Sequence, residues 1–204
     1  MNSLAFFDCL SIARRIQSQV GSVLSSELHT FAYLSCLLSL YKGNPVSEWG
    51  YDFIGIRQNA PYSQPIDDSK SNILRLGFFD IDKEQYIRVS PSGILEHDRL
   101  KLLKIYSRRE QFIEGACSSI LALPIGLIRN ALSKEPNLLA SQESNSVKAL
   151  LDERSPSLVL LYDQFNALSS AVRIEMTNLM IPAIVWLSYL SKINEEKEGG
   201  MSNG

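Results

Sequence analysis

Residues 60–95, APYSQPIDDSKSNILRLGFFDIDKEQYIRVSPSGIL, decide how this chain is read. Pro65 presets φ for a helix start, and Ser63 just before it is a capping residue. Asp67 and Asp68 fall in the first turn, where the helix dipole favours anions. Ile66, Ile73, Leu74 and Leu76 supply an apolar side, and Gly77 is a natural residue to end the helix. Phe78, Phe79 and Ile81 then run into the polar stretch Asp82-Lys83-Glu84-Gln85, and Tyr86, Ile87 and Val89 return. Two short β-prone runs about a polar turn predict a hairpin. Ser90-Pro91 opens a second helix in the same cap-then-proline order.

Helix, hairpin, helix in that order predict a winged helix-turn-helix domain with a two-stranded wing, within a mainly α chain. We place it at residues 27–100. Residues 27–42, apolar nearly all round, form its first, buried helix, which ends at Gly43-Asn44-Pro45. Trp49, Tyr51, Phe53, Ile54 and Ile56 follow in an irregular stretch, read as a short helix at Val46–Trp49 and a loop anchored to the core. Upstream, residues 1–26 carry an N-terminal helix with Phe6, Leu10, Ala13, Ile16, Val20 and Val23 along one face and Gly21 as its breaker.

Downstream, 101–194 reads as a helical domain with a long C-terminal helix, and the N- and C-terminal helices are expected to pack as a helical extension of the winged-helix domain. Residues 92–134 predict one or two long helices, restarted at Pro124. Residues 133–157 are loop-like, with a short helix at Val147–Asp152. Ser155-Pro156 then caps one long last helix, whose stripe runs Leu158, Leu161, Phe165, Leu168, Val172, Met176, Leu179, Ala183, Trp186, Leu190 and Ile193, bent at Pro182. The phase of that stripe breaks at Leu168–Val172–Met176. The charged, glycine-rich tail 195–204 is expected to be disordered. A stripe of such length exceeds what a small domain covers, so its distal half is expected to meet a partner or a second copy through Leu179, Trp186, Tyr189, Leu190 and Ile193.

The 204 residues are 45% apolar and carry a net charge of −2, so no global charge draws the chain to nucleic acid or to anionic membrane. Cys9, Cys36 and Cys117 are odd in number and far apart, which suits buried thiols in a reducing cytoplasm. No signal peptide is visible, and the longest apolar stretch, Leu179 to Leu190, is too short for a bilayer. No membrane contact is expected.

The motifs of chemistry are missing. His29 and His97 have no Cys or His at metal-ligand spacing, and no phosphate-cradling glycine loop or GxSxG elbow is present. Asp80-Ile81-Asp82-Lys83 superficially resembles a nuclease cluster, but it lies in the hairpin turn, where charge belongs. Glu110 and Glu114 form an i, i+4 carboxylate pair without a Glu-x-x-His, which reads as a solvated face. No catalytic residue, cofactor or metal is expected, which leaves a non-enzymatic binding or assembly protein.

A winged helix that reads DNA brings the start of its second helix to the bases. Here that start carries Asp67 and Asp68. Over residues 27–100 the acids outnumber the bases by ten to seven, an unfavourable balance for phosphate contact. The basic strip comes later: Lys101, Lys104 and Arg108 at i, i+3 and i+7, with Arg99 and Arg109 near them. It reads as a rail for a phosphate backbone, a dock for an acidic partner, or a solvated face.

Three short motifs carry a resemblance: Ala60-Pro61-Tyr62-Ser63 before the helix, Leu76-Gly77-Phe78-Phe79 at its end, and Val89-Ser90-Pro91-Ser92-Gly93 after the wing. Together with the layout of helix, winged helix and helical tail, they resemble the middle components of ABC three-component conflict systems, of which the Lamassu anti-phage and anti-plasmid systems are examples. Ala60 and Ser90 stand where glycine and threonine are usual. The resemblance implies a bacterial, cytoplasmic subunit that joins an SMC-like ABC ATPase to an effector, often a nuclease, with DNA met through the complex. The other function this sequence supports is a DNA-binding transcriptional regulator that dimerises through its last helix.

Overall fold

In the computed structural model, the structure describes residues 2–56, 60–143, 148–172 and 178–199. The chain is mainly helical, with two small antiparallel sheets among the described residues. Helix α1 spans Ser3–Val20. Its start is capped by Asn2, whose Oδ1 accepts the N–H groups of Leu4 and Ala5 (3.0 Å each). Its end is closed by Gly21 at φ +88°, a left-handed conformation that glycine adopts without penalty. Helix α1 packs against α2 (Ser25–Tyr41), α3 (Gln64–Arg75), α4 (Pro91–Lys101) and α5 (Lys104–Ser118). It is therefore the centre of the molecule. Buried side chains from Ala5 to Leu190 join in one cluster, so segments 1–26, 27–100 and 101–194 share a core.

The organising stretch folds as helix, hairpin, helix. Strand β3 (Phe79–Ile81) pairs with β4 (Ile87–Val89). Asp82 builds the turn between them, its Oδ1 accepting the N–H groups of Glu84 (3.0 Å) and Tyr86 (2.9 Å). Val23 bridges to Ile87 on the other edge of β4 through two backbone hydrogen bonds, 3.1 and 2.7 Å. Ser90 caps α4 as expected, accepting from the Gly93 N–H at 3.1 Å. Ser63 does not cap α3 in that way: its Oγ is buried without a partner, and its N–H donates to His29 Nδ1 (3.1 Å). Val20 and Leu76 were expected on apolar sides. They sit at helix ends, past the last turn that packs, and are exposed.

Several expectations downstream are corrected. The long helix or helices over 92–134 divide into α4, α5, a 3-10 turn at Ser119–Leu121 and α6 (Ile125–Leu132), the last restarted by Pro124. Residues 136–143 are not loop but helix α7 (Pro136–Glu143), closed by Glu135, which accepts the N–H groups of Asn137 and Leu138 (2.9 Å each). No helix forms over 148–152: Lys148–Ala149 is strand β5, and Val147 lies outside the described residues. Strand β5 pairs with β1 (Ile54–Ile56), which pairs in turn with β2 (Ala60–Tyr62), giving the order β2-β1-β5. Gly55 is required there, because a Cβ would sit 2.2 Å from Ser141 Oγ on α7.

The single last helix is two. Helix α8 (Pro156–Ala171) ends next to the predicted break in phase, and α9 (Met180–Gly199) folds back against α8, α6 and α5. Pro182 stands in the first turn of α9, where its missing N–H leaves no hydrogen bond unmade. Met176 and residues 200–204 of the expected tail lie outside the described residues, and α9 extends through the tail's first part, 195–199.

Candidate interaction surface

Two adjacent residues of α5 fix the site. Arg109 belongs to the expected basic strip but is buried. Its guanidinium forms a fork on the Asp8 carboxylate of α1 (Nε to Oδ1 2.5 Å, Nη2 to Oδ2 2.7 Å) and donates to the Trp49 carbonyl (2.8 Å). It also lies 3.5 Å from the centre of the Trp49 ring. Tyr51 donates to the same carboxylate at 2.5 Å, on the Oδ2 that also accepts from Nη2. A buried cation so matched is structural, and Arg109 leaves the strip. The aromatics Trp49, Tyr51 and Phe53 are buried and anchor their stretch to the core, as the sequence predicts.

Glu110 is neither a metal ligand nor part of a solvated face. It is buried and accepts from Ser11 Oγ (2.5 Å) and from Arg15 Nε and Nη2 (3.0 and 2.6 Å). Burial works to raise its pKa, but His97, Ser11 and Arg15 outweigh burial and hold it down at about 2. Glu114 is exposed. Next to Glu110, His97 stacks on Phe7 and accepts from Arg14 through Nδ1 (2.8 Å), and Arg14 also pairs with Asp98. These bonds tie α1, α4 and α5 together. The signal for them in the sequence is a polar line beside the apolar face of α1: Asp8, Ser11 and Arg15 at spacings of three and four.

The elbow between α4 and α5 stands on this base. The chain leaves helix at Leu102-Leu103, so Lys101 ends one helix while Lys104 and Arg108 lie on the next. The expected continuous i, i+3, i+7 face does not exist. Lys101, Lys104, Arg108 and Arg99 do reach solvent, with Arg99 paired to Glu96 (2.8 Å) and Lys101 3.7 Å from Glu110. Among them the elbow exposes Leu95 (71%), Leu102 (84%), Leu103 and Ile105. A cleft of about 760 Å³ opens beside them, with Lys104, Ile105, Arg108 and Glu48 on its walls.

The stripe expected to meet another chain is covered from within. Leu179, Trp186 and Leu190 are buried. Leu179 packs on Gly115 of α5, where a Cβ would lie 2.5 Å from its own. Trp186 meets Phe165 edge to face (5.2 Å) and donates to Gln164 Oε1 (3.0 Å). The fold-back of α9 supplies this cover, which one continuous helix could not. Tyr189 remains half exposed at the rim of a 260 Å³ apolar groove with Val185, Ala167 and Ala171, and the Ile193 side chain lies outside the described residues.

His29 carries a testable pH dependence. Its ring is stacked on Tyr62 (4.9 Å), and burial lowers its pKa from 6.5 to about 4, with Asp67 and Lys70 acting in opposite directions. The folded state therefore holds the neutral form. Its stabilising contribution is complete above the unfolded value near 6.5 and is lost as pH falls toward 4. We expect the unfolding free energy measured in urea to fall over that window, by about 3 kcal/mol for a shift of this size. His29→Gln, which keeps an acceptor for Ser63, should flatten the profile there. An unchanged profile would show that His29 is not the group responsible.

Among the described residues no group of three or more His, Cys, Asp or Glu side chains is placed to hold a metal. The cysteines are free and buried. Among the described residues no single helix is long and apolar enough to cross a membrane. The bent pair α5–α6 passes by length and composition, but Phe112, Ile113, Ala116, Ile128 and Leu132 of that pair are in the core. Comparison with protein-family models, with characterised proteins and with solved structures finds no match to this chain.

Proposed function

We propose that this chain is a non-enzymatic assembly subunit built on a winged helix. The reading takes α1 as the first helix, the Val23 bridge as the first strand, α2 and α3 as the next helices, and β3–β4 as the wing. The β1–β2 hairpin is then an insertion. This draws residues 1–26, first set apart as an extension, into the domain.

The observation that carries the assembly role is the outward face of α3. It presents Gln64, Asp68, Ser71 and Arg75. Asp68 holds Gln64 (2.8 Å), and the nearest lysine, Lys70, is held by Asp67 (2.6 Å) and Ser25 Oγ (2.9 Å). A helix with an acid in the outward first half that would approach the bases, its lysine already paired and its one outward arginine, Arg75, at the far end, is poorly placed to hold phosphate. By the resemblance in its motifs, the subunit joins an SMC-like ABC ATPase to an effector in anti-phage or anti-plasmid defence.

The test has two arms. The isolated chain should show no DNA retention at either end of about 50–200 mM salt, where a reader with several phosphate contacts changes affinity by orders of magnitude. The tagged chain, expressed with its native neighbours, should bring down the ATPase in stoichiometric amount. Salt-dependent DNA binding by the isolated chain, raised by Asp67→Asn with Asp68→Asn, would favour the transcriptional regulator instead.

A further inference from the structure

We propose that the α4–α5 elbow is a docking surface for an acidic amphipathic segment of a partner protein. This rests on the assembly reading and names the chemistry of the partner. The apolar part of the surface is Leu95, Leu102, Leu103 and Ile105, of which Leu102 is 84% exposed. Each of these side chains gains when it leaves water. Four of them about one elbow are more than the scatter of single exposed leucines found on any surface.

Charge selects the occupant. Lys101, Lys104, Arg108 and Arg99 are exposed on the same elbow as the leucines, and three of the nearby carboxylates are engaged within the subunit, Glu96 by Arg99, Asp98 by Arg14 and Glu110 by Arg15, while Glu48 stands across the cleft. The elbow thus offers exposed apolar contacts with cations among them, Lys104 and Arg108 foremost, complementary to a segment with apolar residues on one side and carboxylates on the other. A nucleic-acid backbone would leave the leucines against phosphate and water, so it matches the cations alone. The surface is also held rigid. Arg109 on Asp8, and Glu110 on Ser11 and Arg15, pin the start of α5 to α1, while Arg14 pins the end of α4 through Asp98 and His97. A surface already in its bound shape loses little order on binding.

The test uses the full-length chain and a labelled helical peptide with leucines along one face and glutamates on the other. Its counterparts have lysine in place of glutamate, or serine in place of leucine. Vesicles of phosphatidylcholine with phosphatidylserine form the membrane arm. The glutamate peptide should bind at least about tenfold more tightly than either counterpart, each tenfold being about 1.4 kcal/mol. Leu102→Ser with Leu103→Ser, and separately Lys101→Gln with Lys104→Gln and Arg108→Gln, should each weaken it by a similar factor. Their melting curves should not change, since all five side chains face solvent. A photo-crosslinking residue at position 103 in the co-purified complex should attach to an acidic segment of a partner. Equal binding of the lysine peptide, no binding of the glutamate peptide, or vesicle binding that the elbow variants abolish would each overturn the proposal. Co-purification of the ATPase with the elbow variants intact would overturn the elbow alone and leave the assembly reading standing.

Discussion

Arg109→Ala should destabilise the fold by about 3–5 kcal/mol, the range for removing one partner of a buried ion pair. The loss is of this size because of what stays behind. Asp8, fully buried, would keep the Tyr51 hydroxyl but lose both guanidinium bonds, and the Trp49 carbonyl would lose its donor. Burial works against the charged Arg109, and the Asp8 carboxylate beside it outweighs burial and holds the guanidinium protonated. Arg109→Lys should recover little, since a lysine cannot form the fork, donate to Trp49 and stack on its ring at once. Asp8→Leu with Arg109→Met should be far milder than either single change, because it removes both charges together. Urea denaturation followed by circular dichroism measures each of them. A single Arg109→Ala variant that unfolds at the parental midpoint would mean that Asp8 finds water or another donor. By contrast Arg108→Ala, one residue away and exposed, should leave the midpoint within about 0.5 kcal/mol.

Trp186→Ala should destabilise by about 3–5 kcal/mol, as for other large aromatics deleted from a core. The effect belongs to folding and not to association. The indole fills the space between α8 and α9, against Phe165, and its N–H is satisfied by Gln164. The cavity left would adjoin an existing groove, so water would reach Phe165 and Leu168. Leu190→Ala, in a fully buried position, should add about 2–5 kcal/mol. Tyr189→Ala, half exposed at the groove rim, should cost little in a melting curve. If Trp186→Ala melts as the parent does while losing a partner or a second copy, the distal stripe is an interface after all.

The helix–hairpin–helix centre was legible in residues 60–95 because its signals are local. Pro65, Gly77, the Asp82 turn and Ser90-Pro91 each act within a few residues of themselves, and most act as read. The exception is Ser63, whose neighbour His29, far off in sequence, takes its N–H. The 3-10 turn at Val46–Trp49 and the restart at Pro124 were legible for the same local reason.

What tertiary structure alone decided depends on distant contacts. The strands of the β2-β1-β5 sheet are two or three residues long, too short for a period to register, and β5 joins from residues 148–149. The break between α8 and α9 left only a shift of phase at Leu168–Val172–Met176, read as a flaw in one helix because the apolar spacing of threes and fours continues across it. Only packing against α5 and α6 shows that the chain turns back. Arg108 and Arg109 are the same residue type, side by side on one helix, yet one faces water and the other the core. Their sequence set the charge and the helix. Which arginine became structural was settled by Asp8, 101 residues away on α1, because a buried carboxylate requires a cation and the turn of α5 brings only Arg109 within reach.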